Sequence, residues 1–251
     1  MIGIVGCGFV GSAVRDAFIH TGVKVVDPKY STHTLDDLRD CEAVFICLPT
    51  PSREDGSVDA SLVIEALDEL DDQLIIVKST LTPDYLQRSQ RIVYNPEFLT
   101  QRTAKSDFIN PDSLIFGGVY EDCLLAVDLY WRCSVVRKCP VFITDIYTAC
   151  LVKYTLNCHF AAKVTFLNEI YQLHRKIAGS TWNEFTEILG YDSRLGPTHL
   201  QVPGPDGFFG FGGACFPKDT KALIYFADSL GIDLSVLKQA VIKNELIRNE
   251  P

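Results

Sequence analysis

The 251-residue chain carries 47% hydrophobic and 22% charged residues, which excludes a mainly disordered protein and leaves room for one large core or two smaller ones. Its 23 Lys and Arg stand against 32 Asp and Glu; the formal charge of −9 disfavours nucleic acid as the main partner, because gripping a phosphate backbone draws on a positive surface. Nine cysteines, odd in number and without a CxxC pair, read as packed thiols of a reducing compartment rather than as a disulfide or metal framework.

In chain order, Ile2–Val5 reads as a strand, followed by a glycine turn and a helix through about Phe18. The start MIGIVGCGFVG lacks the basic n-region and unbroken apolar core of a signal peptide, and no stretch reaches the roughly 18 apolar residues of a bilayer span. A cytoplasmic protein without membrane contact is the expectation. Val23–Val26 is a second short strand, and Ala43–Leu48 and Leu74–Val77 are apolar runs of strand length, each followed by turn sequence. Val58–Leu70 has helical spacing between them. Further strands are expected near Arg91–Val93, Ser113–Phe116 and Val141–Ile143, with a helix over about Glu121–Trp131. Strands alternating with helices are the pattern of a parallel sheet with crossover helices, here over residues 1–143.

The pattern then changes. From Asp145 to about Ile177 there is no Pro or Gly, and Val152, Leu156, Phe160, Val164, Leu167, Ile170 and Leu173 recur at helical intervals, as for one long helix. Trp182–Leu189 is a short helix before a Gly- and Pro-rich loop, and helices near Lys218–Leu230 and Ser235–Arg248 close the chain. The fold class expected is therefore α/β for residues 1–143, with residues 144–251 an all-helical domain led by a long central helix.

GCGFVG places Gly6, Gly8 and Gly11 between a strand and a helix, where a tight turn, close approach to a pyrophosphate and close helix packing each require a missing side chain. The next strand ends in Asp27, sixteen residues beyond Gly11, where a carboxylate accepts hydrogen bonds from a ribose diol and repels a 2'-phosphate. A Rossmann-type domain binding NAD rather than NADP follows, with Lys29 leaving an opening for NADP.

Further along, GFGGACFPKD sets Cys215 between a glycine-rich stretch and a helix start, with Lys218 close by: either a reactive thiol or a buried structural one. Asp219 either supports a nearby cation or caps the helix. Lys153 and Asn157 lie one turn apart on the long helix, as a pair gripping a substrate oxygen or as a solvated face. Glu97 in YNPEFL and Thr80 in VKSTLTP follow strands, where ligand sites of open α/β sheets lie and where ordinary turn residues also occur. Phe208, Phe209 and Phe211 read as an apolar wall or as packed core. The histidines His20, His33, His159, His174 and His199 form no HxH or HExxH spacing, so no metal is expected.

GIVGCGFVG, LPTP at Leu48–Pro51, KST at Lys78–Thr80, NPEFL at Asn95–Leu99, Lys153 with Asn157, and FGGACFPKD at Phe211–Asp219 together resemble the UDP-glucose/GDP-mannose dehydrogenase family. The resemblance implies NAD-dependent oxidation of a nucleotide-sugar primary alcohol to the uronic acid, in which Cys215 captures an aldehyde as a thiohemiacetal that becomes a thioester. It assigns Lys153 and Asn157 to stabilising the reacting oxygens, Asp219 to supporting them, Thr80 to ordering a water and Glu97 to thioester hydrolysis. By the same resemblance Gly6, Gly8, Phe9, Val10, Gly11, Asp27, Pro49, Thr50, Thr80 and Lys218 would bind the cofactor. Phe98, Leu99, Lys153, Asn157, Arg194, Phe211 and Gly212 would bind substrate, with Arg194 reaching the neighbouring subunit of a homodimer built on the long helix.

Two departures stand out. Gln101 replaces a second glutamate common in the family, and a neutral amide cannot act as a base. The chain also stops at Pro251, where family members typically continue through another α/β domain that grips the nucleotide. A form lacking that domain is expected, with a separate nucleotide-binding domain as a possible partner. A dehydrogenase of a smaller hydroxy compound and a non-catalytic NAD-binding subunit remain the alternatives.

Overall fold

The computed structural model describes residues 1–70, 73–88, 90–100 and 102–249; Gln101, on which the missing-glutamate argument falls, lies outside the described residues. Two compact units emerge, Met1–Pro51 with Val58–Lys153, and Ser52–Ser57 with Tyr154–Pro251.

The first unit is built around a seven-stranded sheet in the order β2-β1-β3-β4-β5-β6-β7. Its strands are β1 (Ile2–Val5), β2 (Val23–Val26), β3 (Ala43–Ile46), β4 (Leu74–Val77), β5 (Ile92–Tyr94), β6 (Leu114–Gly118) and β7 (Val141–Thr144), with helices α1 (Phe9–Ala17), α2 (Ser61–Glu69), α3 (Ala104–Ile109) and α4 (Tyr120–Cys133) between them. The central strands β1, β3 and β4 are buried along their whole length, which is why they read as continuous apolar runs rather than as alternating ones. Phe18, Phe45, Phe116 and Tyr130 meet on one side of the sheet, with ring centroids 5.0 Å apart for Phe18–Phe45 and 5.4 Å for Phe116–Tyr130.

The parallel sheet expected from the sequence is present, continuous over β1 to β5 and interrupted by one antiparallel pairing. β6 pairs antiparallel with β5, with Val93 opposite Gly118, and β7 pairs parallel with β6. The connection explains the reversal. In this register β6 starts at the edge of the sheet where β5 finishes, so the intervening chain never has to cross back, and its one α-helix among the described residues, α3, has six residues. The 14-residue α4 does make a crossover, between β6 and β7.

The second unit contains no strand among the described residues. It comprises the greater part of α5 (Ile146–Ile177), with α6 (Trp182–Gly190), α7 (Phe216–Ser229) and α8 (Ser235–Asn249). α6 opens with a reciprocal capping box between Thr181 and Glu184. The long stretch between α6 and α7 has almost no secondary structure of its own and is held by polar side chains of its neighbours. On α5, Lys163 Nζ donates to Leu195 O at 2.9 Å and Thr198 O at 2.7 Å, and Asn168 Oδ1 accepts from Gly210 N at 2.9 Å. On α8, Asn244 clasps Phe211 both ways, accepting its N–H at 2.6 Å and donating to its carbonyl at 3.0 Å. Leu167 packs with Leu200 and Val202 beneath. Among the described residues no helix is long and apolar enough to cross a membrane, and no cluster of His, Cys, Asp or Glu is arranged to hold a metal ion.

Candidate cofactor and catalytic sites

In the first unit, strand order reverses between β1 and β3, and the crevice beyond their carboxyl ends is where open α/β sheets bind ligands. The glycine turn lies there. Gly6 has φ +86, and a Cβ on it would sit 2.8 Å from the carbonyl oxygen of Cys47; a Cβ on Gly11 would sit 2.0 Å from the carbonyl oxygen of Gly6. Those two glycines let backbone pack on backbone. Gly8 differs: it caps α1 with an ordinary φ of −68, and a Cβ there would meet nothing within 4 Å. No side chain caps α1 and no acid stands in its first turn, so its leading N–H groups and positive dipole end are available to a phosphate. Phe9 and Val10 form the first turn beside this space.

Asp27, just beyond β2, is fixed by two backbone donors: Oδ2 accepts from Cys7 N at 2.7 Å and Oδ1 from Lys29 N at 2.9 Å. Its carboxylate is thereby oriented at the end of the strand next to the glycine turn. Pro49 and Thr50 follow β3 and Thr80 follows β4; Thr50 Oγ1 donates to Thr80 O at 2.9 Å, tying the two loops together. An uncapped helix end, open space at Gly8 and an oriented carboxylate make a cradle that fits a dinucleotide.

Further along the same sheet edge, the turn after β5 presents Glu97. Its Oε2 accepts the N–H of Leu99 at 2.7 Å, and its Oε1 lies 3.1 Å from Lys153 Nζ, which also donates to the Glu97 carbonyl. Lys153 is 3% exposed and Glu97 7% exposed, so the reading of this lysine as part of a solvated face is corrected: 56 residues apart in sequence, the two form a buried ion pair. The Phe98 ring covers the ammonium at 5.2 Å, while Phe98 itself is exposed.

The second unit carries the other group. Cys215, half-buried, is the N-cap residue of α7, and its carbonyl accepts the N–H of Asp219 at 2.8 Å. Asp219 does not cap the helix with its side chain. At 1% exposure it points inward, where Oδ2 accepts from Asn157 Nδ2 of α5 at 2.5 Å and Oδ1 pairs with Lys218 Nζ. Asn157, Asp219 and Lys218 are thus one network at the root of the cysteine turn. Lys218, expected at the cofactor, has its ammonium on Asp219. Next to Asn157, the Cys158 thiol is pushed up to about 12 by burial and so behaves as an inert packing group, unlike a residue at a helix start. Phe211 is core, packed with Ala161, Val164 and Phe216, whereas Phe208 is 60% exposed beside Arg248. Gly212 follows Phe211 in the clasped loop. Arg194 stands in solvent paired with Asp192 at 2.5 Å, which holds its guanidinium charge more firmly still.

Sequence reasoning missed the clasping amides Asn168 and Asn244, which in a helix look like polar-face residues. It also gave no role to Lys78, although it quoted the residue.

Residues 27–133 match the profile described as the UDP-glucose/GDP-mannose dehydrogenase family, NAD binding domain, and residues 147–246 match the central domain of the same family. The chain belongs to the UDP-glucose/GDP-mannose dehydrogenase family. Its first unit is that family's NAD binding domain, although the matched segment begins at Asp27, so the glycine turn rests on its own geometry. The UDP-glucose 6-dehydrogenase of Rickettsia felis is 33% identical over 247 residues, covering 92% of this chain and 54% of the relative. The chain spans about half the length of the curated relatives it matches. A UDP-glucose dehydrogenase from the archaeon Pyrobaculum islandicum superposes with a TM-score of 0.83 at 25% identity, covering 98% of this chain and 68% of that one. The Mycobacterium tuberculosis 3-hydroxyisobutyrate dehydrogenase shares the fold, with a TM-score of 0.76 at 15% identity over 99% of this chain and 94% of its own.

Proposed function

We propose that this chain oxidises the primary alcohol of a nucleotide sugar to the uronic acid, as a UDP-glucose 6-dehydrogenase-like enzyme working through Cys215. The carrying observation is the start of α7, where Cys215 is the N-cap residue and the buried Asp219 one turn on holds both Asn157 and Lys218, in a chain matched by both family profiles. Gly6, Gly8, Phe9, Val10, Gly11, Asp27, Pro49, Thr50, Thr80 and Lys218 are the residues assigned to NAD, and Phe98, Leu99, Arg194, Phe211 and Gly212 join Lys153 and Asn157 on the substrate. NAD, when bound, is the hydride acceptor in both oxidations, one molecule for each.

Negative charge grows on the substrate oxygen in each addition, and the Lys153 ammonium and Asn157 amide stabilise it. The Cys215 sulfur adds to the aldehyde carbon; the carbonyl π pair moves to oxygen, which takes a proton to give the thiohemiacetal. The amide end of α7 favours negative charge on that sulfur before attack. Loss of the second hydride from its carbon and of the hydroxyl proton to water leaves a thioester. Water ordered by Thr80 and deprotonated by Glu97 then adds to its carbonyl, and the C–S bond breaks to return the thiolate and release the carboxylate. Asp219 keeps the Asn157 amide and Lys218 in place throughout.

A cytoplasmic homodimer through α5 belongs to the same proposal, supported by the exposed Tyr147, Leu151 and Phe166 on that helix, with Arg194 serving the neighbouring subunit. A separate nucleotide-binding domain would supply the grip on the nucleotide. The test incubates the purified chain with NAD and UDP-glucose, GDP-mannose or UDP-N-acetylmannosamine and quantifies both NADH and acid. Two NADH per acid, abolished in Cys215→Ala, is the expected result. Acid production that survives Cys215→Ala would overturn the covalent route, and NAD binding without turnover on any of these sugars would overturn autonomous activity.

A further inference from the structure

Lys78, the residue that follows β4, is buried to 3% exposure at the carboxyl edge of the sheet, in the first unit. Its ammonium donates to three neutral acceptors: Asn95 Oδ1 at 2.7 Å, Asn95 O at 3.1 Å and, at the long limit, Tyr130 Oη at 3.5 Å. The Phe108 ring lies 5.2 Å from the charge. Asn95 is fixed from every side: its N–H donates to Val77 O at 2.9 Å, its Nδ2 to Ile115 O at 2.7 Å, and its Oδ1 also accepts from Tyr130 Oη at 2.6 Å. Asn95 opens the Asn-Pro-Glu turn, and Pro96 restricts the backbone between it and Glu97. An ammonium this deep, satisfied by amide and phenol oxygens, is an expensive way to fill space that an apolar side chain would fill better.

We propose that Lys78 is a positioning residue, whose buried ammonium locks Asn95 and thereby holds Glu97 in register with Lys153. The proposal rests on the reading of Glu97 and Lys153 as parts of the reaction site. The lock depends on charge as well as shape. Neutralised, Lys78 would keep fewer donors for its three acceptors, and the turn would lose its hold on the Glu97 carboxylate. Burial lowers the pKa of Lys78 to about 8; the groups facing it are Cys47 beyond β3, Glu97 on the β5 turn, Lys153 on α5 and Tyr130 on α4. Cys47 and Glu97 favour the charged form, and Lys153 opposes it.

The test labels lysine side chains with 15N and follows the Lys153 Nζ resonance, assigned as the signal missing from Lys153→Met. In the unsubstituted protein that resonance should shift with a midpoint near pH 8. In Lys78→Met it should already sit at the high-pH position and show no step there. Tyr130→Phe, which leaves Lys78 in place, should move the resonance in the same direction by a smaller amount. NAD affinity should stay within about twofold in both, while kcat for acid formation falls about tenfold or more in Lys78→Met, as for a catalytic group displaced by a fraction of an ångström. A Lys153 signal blind to pH around 8 in the unsubstituted protein overturns the proposal without need of any variant. So does turnover unchanged in Lys78→Met alongside a defect in Glu97→Gln. If Glu97→Gln turns over normally, the role of Glu97 has failed, and the resonance still decides separately whether Lys78 holds the turn.

Discussion

Gly8 and Gly11 are three residues apart, and alanine at each should separate ligand contact from fold. At Gly11 the new Cβ would arrive 2.0 Å from the carbonyl oxygen of Gly6 and 3.0 Å from its carbon. Both atoms are backbone, so no side chain can swing away, and α1 must retreat by about 1 Å to restore ordinary contact; overpacking of this kind costs about 1–3 kcal/mol. At Gly8 the Cβ would meet nothing and the φ of −68 suits alanine, so the only cost to the fold is the poorer N-cap, about 0.5–1 kcal/mol. The same methyl, however, would stand in the space assigned to the pyrophosphate. Losing one or two charge-assisted hydrogen bonds there, at about 1.5–3 kcal/mol each with tenfold per 1.4 kcal/mol, weakens NAD binding by roughly 10- to 100-fold or more. Urea unfolding and calorimetric NAD titration on both variants read the two effects. Gly8→Ala should move its unfolding midpoint little and lose affinity; Gly11→Ala should lose both. Wild-type affinity in Gly8→Ala would show that the dinucleotide does not lie across the head of α1.

Asn244→Ala removes both partners of the Phe211 backbone and leaves a buried donor and acceptor without them, at about 2–4 kcal/mol. Amide exchange should accelerate at Phe211 and Gly210 while the strands of the first unit stay protected; uniform loss of protection would mean the clasp is not local. Lys78→Met tests proton linkage. Lowering a lysine from 10.5 to about 8 means the unfolded chain binds more protons between those values, so stability of the unsubstituted protein rises with pH across that window. Below it, the buried charge weighs against the fold by roughly 3 kcal/mol, an upper figure because the three acceptors offset part of it. Denaturant midpoints at pH 7 and pH 9 should therefore move upward for the unsubstituted protein relative to Lys78→Met; parallel profiles would refute the linkage.

Much of the first unit was legible because burial on both faces writes β1, β3 and β4 as unbroken apolar runs, and because a strand, a glycine turn and a terminal acid recur at ligand-binding distance. The direction of β6 was not legible. Apolar spacing identifies a strand without saying which way it runs, and α3 is too short for helical periodicity to register. In the second unit, Pro217 and the preceding glycines announced a helix start beside Cys215, which is where α7 begins. Local spacing left Asp219 as cap or cation support, since its partner Asn157 comes 62 residues earlier in the chain; the family resemblance alone joined the two. The Glu97–Lys153 pair shows the same limit for distant contacts: from local spacing one reads as a turn residue and the other as part of a solvated helix face, and only the fold buries them together.

The stretch between α6 and α7 takes its shape from Lys163, Asn168 and Asn244 rather than from its own sequence. Between those anchor points Asp206, Gly207 and Phe208 are exposed, and Arg248 of α8 holds them through its ion pair with Asp206 at 3.0 Å and its place over the Phe208 ring. Each mooring side chain grips a different part of the stretch, so the order of this loop is imposed from α5 and α8, and losing one anchor would free one segment while the others stayed held.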